Sequence, residues 1–250
     1  EDQLSVELID AQYDLKKTRG QKNAKSLLIL VNGIELAGKG EAVKQLREWV
    51  DPRYLRVKAD APQVAGPKQT LWQPYARFIP AEGQIMVLFG NWYSDLLSRA
   101  MQASDPIINA QFNHYLQEMQ AFEQDLKNNH VDVVKVWFDL SWKALQKRLD
   151  AMDPSEAHWH QLHGLDWRNR KQYDTLQRLR QHFTEDWFII EGEDEQQRDQ
   201  QFAQHILGGG VHLQAAPVSA GAALAPEMDG DMTQFAAETA GTQQFSLGDH

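Results

Sequence analysis

The sequence predicts an α/β protein: a three-layer α/β/α domain with a five-stranded parallel sheet between helices. Three observations carry that reading. Five short runs are almost continuously apolar, as strands buried on both faces must be. Longer stretches of helical period separate them, and a glycine-rich loop joins the first run to the stretch after it.

Leu4, Leu8, Ala11 and Leu15 recur at helical spacing and mark an N-terminal amphipathic helix. Residues 26–31 form the first predicted strand, residues 41–50 the helix after the loop, and residues 55–59 the second strand. An aromatic-rich stretch, 72–80, leads to the third strand at 85–89. Phe112, Tyr115, Leu116, Met119 and Phe122 mark the next helix, with Asp105-Pro106 as a start signal, Asp as cap and Pro in the first turn. The fourth and fifth strands are expected at 131–138 and 187–190. No Lys or Arg follows Arg198, and residues 208–250 are dominated by small and polar residues with five acids, Glu227, Asp229, Asp231, Glu238 and Asp249. Such a composition reads as a disordered linker or tail, leaving residues 1–207 as the folded domain.

The 250 residues carry 35 acids and 25 bases, a formal charge of −10. Without the five acids of the tail, 30 acids face 25 bases. This balance excludes a nucleic-acid partner bound by overall charge but leaves room for a local basic groove for another polyanion. Cysteine is absent, which removes disulfide scaffolds, thiolate nucleophiles and thiolate-bound zinc. Apolar runs such as Leu27 to Val31 are far shorter than the ~18 residues that cross a bilayer, and no leader pattern opens the chain. The expectation is a cytoplasmic protein without a membrane partner. The chain begins at Glu1 without an initiator Met and reads as a fragment.

The sharpest local signal is Gly33-Ile34-Glu35-Leu36-Ala37-Gly38-Lys39-Gly40, a GxxxxGK loop between a strand and a helix. In that setting, backbone N–H groups of the loop and the helix N-terminus form a nest for phosphate oxygens, and Lys39 adds a point charge. Gly33, Ala37, Gly38, Lys39 and Gly40 are the candidate phosphate-binding residues, with Lys39 and Glu35 as catalytic candidates. A glycine-rich turn holding no ligand would share part of this pattern. An ordinary Walker loop has Ser or Thr after the lysine to hold magnesium; Gly40 has no hydroxyl.

At this loop the chain resembles the polyphosphate kinase type-2 family, whose loop reads GxDxAGKG and ends in Gly. Further landmarks follow in the family's order: Asp51-Pro52-Arg53, Trp72 to Pro80, Asn91-Trp92-Tyr93, Lys135-Val136-Trp137 and Asp166-Trp167-Arg168-Asn169-Arg170. The resemblance covers about residues 5 to 207. More narrowly, Ala11-Gln12-Tyr13-Asp14-Leu15 and Phe89-Gly90-Asn91-Trp92-Tyr93-Ser94 are similar to the N-terminal half of two-domain polyphosphate:AMP phosphotransferases. The resemblance implies a P-loop kinase-like fold with a lid segment. It also implies magnesium-dependent phosphoryl transfer from inorganic polyphosphate to AMP or ADP, and a catalytic C-terminal half-domain or a homo-oligomeric copy as partner.

Measured against that family, the chain departs at charged positions. Glu35 stands at the loop Asp, making it the candidate metal ligand with an arm one methylene longer. Catalytic members end the third strand in DRSWYxR; aligned on Trp92, the metal Asp and two arginines become Phe89, Gly90 and Asp95. The family lid is rich in Lys and Arg, whereas residues 153–165 contain neither. His158, His160 and His163 there are spaced too irregularly for a strong zinc pattern and read as solvated groups that bind polyphosphate weakly at lower pH. Arg53, Arg77, Arg168 and Arg170 remain as candidate polyphosphate contacts. The reading is a polyphosphate:AMP phosphotransferase at the level of the parent protein, with this domain weakened and left to bind polyphosphate or to scaffold. The alternative is an active single-domain phosphotransferase using Glu35 and Lys39. An ordinary ATP-dependent kinase would need a hydroxyl after Lys39 and a strand-end Asp.

Overall fold

Leu27, Leu28, Ile29 and Leu30 are wholly buried, because their strand, β1 (Ser26–Gly33), lies at the centre of the sheet. The computed structural model describes residues 2–59, 69–102, 108–153 and 165–208. The 209–250 portion of the tail, most of the lid segment with its three histidines, and Asp105-Pro106 lie outside the described residues. The described residues all belong to one compact unit, Glu1–Gln214.

Beside β1 run β2 (Leu55–Lys58), β3 (Ile85–Phe89), β4 (Val131–Asp139) and β5 (Phe188–Glu191), in the order β2-β3-β1-β4-β5. All pairings are parallel, as expected from the apolar runs. Val31 lies opposite Phe89 of β3, and Gly33 opposite Phe138 of β4.

Parallel strands need crossover helices. α1 (Asp2–Lys17), α2 (Lys39–Trp49) and α7 (Glu195–Ile206) pack on one another. α3 (Trp92–Gln102) packs on α4 (Ala110–Asn128) and on α6 (Arg170–Gln181), while α5 (Trp142–Ala151) leaves β4. Crossovers of one hand that depart from β1 and β4 toward opposite edges place these groups on opposite faces. α4 starts at Ala110 and not at the expected Asp105-Pro106, its cap being Asn109, whose side chain accepts the Phe112 N–H at 2.9 Å. One 3₁₀ helix, Gln73–Phe78, carries the aromatic-rich stretch.

Trp92 and Trp137 are fully buried, and Trp72 stacks on Phe122 with centroids 4.1 Å apart. Among these side chains sits one buried cation. Lys135 Nζ lies 2.8 Å from Glu123 and 2.7 Å from Asp186, over the rings of Tyr93 and Trp187. Among the described residues no helix is long and apolar enough to cross a membrane.

Candidate functional site

The β1–α2 loop stands where the strand order reverses: the crossover from β1 leads to one edge of the sheet and that from β4 to the other. Ligands of open parallel sheets bind at such a point. Gly33 has a φ of 143°, and a Cβ there would come within 2.2 Å of the Phe138 carbonyl oxygen. Ile34 N–H donates to that carbonyl at 2.8 Å. Leu36 is left-handed, with φ 59°. Gly38, at φ 85°, turns the chain into α2, and a Cβ there would collide with the Arg198 guanidinium. Gly40 differs, since an added Cβ would meet nothing within 4 Å. The lack of a hydroxyl there is therefore a matter of chemistry, not of space.

Lys39 opens α2 and reaches back over the loop, donating to the Ile34 carbonyl at 2.6 Å, with Glu35 at 3.9 Å. Burial pulls its ammonium below the usual lysine range, opposed by Glu35 and Glu41. The loop amides, the start of α2 and this lysine form a positive end suited to an anion.

The neighbouring strand end is neutral. Phe89 closes β3 beside β1. Behind it, Asn32 Nδ2 donates to Asn91 Oδ1 at 3.1 Å, Ser94 Oγ donates to Asn32 Oδ1 at 2.7 Å, and the Asn91 N–H donates to Ser94 Oγ at 3.2 Å. Asp95 is buried and accepts the Tyr75 hydroxyl at 3.0 Å. Burial pushes its carboxyl up to about 7, against Tyr75 and Arg99. A cleft of 380 Å³, open mouth included, borders Gly33 and is lined, among the described residues, by Asn32, Ser94, Ser98, Trp137, Trp167 and other uncharged side chains. The Trp137 indole N–H is buried without an acceptor among the described residues.

On the other side of β1, Asp139 ends β4, but its carboxylate already accepts from Arg180 at 2.9 Å and from Gln177 at 2.7 Å. Among the described residues no three His, Asp or Glu side chains gather to hold a metal. Magnesium takes oxygen ligands in strict octahedral geometry. Phe89 offers no ligand and Asp139 is held by Arg180 and Gln177, which leaves Glu35 as the carboxylate of the loop.

The arginines marked by sequence are scattered. Arg53 precedes β2, whose first residue, Leu55, is level with Ile85 and hence with Leu27 near the start of β1. About 20 Å of strand separates that level from the loop, and the Arg53 guanidinium pairs with Asp51. Arg168 pairs with Asp150 and Arg170 with Asp174, while exposed Arg77 lies 4.7 Å from the Phe78 ring centroid. Two other arginines reach the loop. Arg198 of α7 is 3% exposed, bonds Asp199 at 2.8 Å and packs behind Gly38. Arg148 of α5 donates to the carbonyls of Leu36, Gly192 and Glu193. No sequence motif marks either, since each approaches the loop from a helix more than a hundred residues downstream.

The model of the family described as polyphosphate kinase 2 (PPK2) matches residues 1–215. A polyphosphate:AMP phosphotransferase from Acinetobacter johnsonii is 72% identical over 207 residues, covering 83% of this chain and 44% of that protein. One from Pseudomonas aeruginosa is 34% identical over 226 residues, 86% of this chain and 43% of the relative. The chain thus spans less than half the length of these relatives. A Pseudomonas aeruginosa PA01 crystal structure assigned to polyphosphate kinase 2 superposes with a TM-score of 0.64 at 32% identity, over 83% of this chain and 42% of that one. The Arthrobacter aurescens polyphosphate kinase 2 structure, at 20% identity and a TM-score of 0.63 over 92% of this chain and 81% of that one, shares the fold. A family match over most of the chain, together with relatives above 30% identity, establishes that this chain belongs to the polyphosphate kinase 2 family.

Proposed function

We propose that the chain is the polyphosphate-binding half of a polyphosphate:AMP phosphotransferase, and that it is weak or inactive as a catalyst by itself. The observation that carries the reading is the contrast between the two sides of β1. The loop offers amides, a helix N-terminus and Lys39 to a phosphate chain. The adjoining end of β3 offers Phe89 and a closed network of neutral amides and a hydroxyl.

Phosphoryl transfer between two polyanions is catalysed by positioning and by charge placed over the transferring group. Gly33, Ala37, Gly38, Lys39 and Gly40 would cradle polyphosphate oxygens, and the Lys39 ammonium would neutralise part of their charge. Arg77, Arg168 and Arg170 are kept as outer contacts of the polyanion, whereas Arg53 stands at the other end of the sheet. Magnesium, which the family resemblance implies, would arrive with the polyphosphate, and Glu35 is the loop's own carboxylate to meet it. AMP is proposed as acceptor from the names of the relatives, and a catalytic half-domain or a second copy as the partner that supplies the missing charges.

The test is an incubation of the purified chain with magnesium, polyphosphate and AMP while ADP is followed. Little or no ADP is expected, together with salt-sensitive polyphosphate binding that Lys39→Ala reduces without unfolding the chain. Turnover in the ordinary kinase range of about 1 to 100 per second, abolished by Lys39→Ala, would overturn the weakened reading and favour an active domain using Glu35 and Lys39.

A further inference from the structure

We infer that Arg148 is a positioning residue of the phosphate loop, the side chain that holds the loop in its anion-receiving shape. The inference rests on the polyphosphate-binding reading above and adds a residue to it.

Leu36 is the left-handed, non-glycine residue of the loop, a conformation that persists where surrounding contacts enforce it. Its carbonyl accepts Arg148 Nη1 at 2.5 Å. From the same planar group, Nη2 donates to Gly192 at 2.7 Å and Glu193 at 3.1 Å. One guanidinium therefore ties the loop to the turn between β5 and α7. The two backbones are in contact at that point: a Cβ on Gly192 would lie 2.6 Å from the Ala37 carbonyl oxygen. Gly192 N–H is in turn anchored on the Asp139 carbonyl at 2.8 Å, so the loop is referred through Arg148 to the end of β4.

The charge balance of this arginine differs from that of other arginines in the chain. Arg53, Arg168, Arg170, Arg180 and Arg198 each contact a carboxylate. Arg148 is held, among the described residues, by three backbone carbonyls. A full positive charge thus stands at the rim of the loop with carbonyl dipoles as its partners, where a phosphate chain would complete it. A lysine keeps the charge but concentrates its donors at one point and cannot span the two segments as a fork does.

The experiment uses the full chain with Arg148→Lys and Arg148→Ala, inorganic polyphosphate of one length as probe, calorimetry at two salt concentrations, and hydrogen exchange of the ligand-free protein. Both variants should bind polyphosphate at least about tenfold more weakly, the lysine variant although its charge is unchanged. Amides of residues 34–38 should exchange faster while those of β1 and β4 keep their protection. Binding by Arg148→Lys equal to that of the unaltered chain, or unchanged exchange in the loop, would overturn the assignment. So would lost protection throughout the sheet in Arg148→Lys, which would make the residue a general support of the fold. Should Arg148→Ala fail to fold, the lysine variant decides. Should the unaltered chain not bind polyphosphate, the functional reading fails, and exchange in the loop alone decides Arg148.

Discussion

Two glycines seven residues apart in one loop have opposite tolerances. Gly33 combines φ 143° with a Cβ position 2.2 Å from Phe138 backbone oxygen, so Gly33→Ala must displace β4. A loss of at least about 2 kcal/mol is expected, whereas Gly40→Ser, with open space around it, should leave the denaturation midpoint within experimental scatter. Equal midpoints for the two variants would contradict the loop geometry. Asp95 supplies a pH test. Its folded-state carboxyl is pushed up to about 7 by burial, while in the unfolded chain it ionises near ~3.9. Between these values the folded state holds the extra proton, so this group's contribution to stability falls as pH rises through the window. Asp95→Asn keeps an acceptor for Tyr75 and removes the slope; it should stabilise the chain at pH 7.5 by about 1 to 3 kcal/mol and change little at pH 4. A denaturation series that finds Asp95→Asn destabilising at pH 7.5 would show that the carboxylate is needed in its charged form.

Elements, in turn, are joined by polar contacts inside apolar layers. β4 places Lys135 against Glu123 of α4 and against Asp186, and the side chains of Lys135 and Glu123 are 8% and 10% exposed. Removing one partner of such a pair leaves an uncompensated charge, at a cost of about 3 to 5 kcal/mol. Lys135→Met should approach that loss in a urea titration, and adding Glu123→Gln should recover part of it. An additive double variant would mean that the pair is not coupled. The same logic explains the two strand ends beside β1. Asp139 on β4 is neutralised by Arg180, and Phe89 on β3 carries no charge, so the charged groups at the loop between them are Lys39, Glu35 and the arginines of α5 and α7.

At the scale of the whole molecule, the reversal of strand order between β1 and β4 positions the candidate site. We propose that the folded domain ends at residue 207. A chain ending at residue 208 should melt within about 2 °C of the full chain, since a tail of low apolar density buries little surface; a large drop in melting temperature would assign the tail a packing role. By itself the sequence determined the five parallel strands, the glycine-rich strand-to-helix loop and the family, because continuous apolar runs, glycines at a strand-to-helix turn and a lysine beside them are local patterns with local causes. The family resemblance in turn reads Phe89, Gly90 and Asp95 as departures from the catalytic pattern, since these lie within a few residues of Trp92. The tertiary structure alone decided which arginines stand at the loop. Arg53, a few residues after α2, lies at the far end of the sheet, while Arg148 and Arg198 come to Leu36 and Gly38 from α5 and α7. Charge on a long side chain acts across space, and the order of residues along the chain does not encode which carbonyl or carboxylate the fold will bring to meet it.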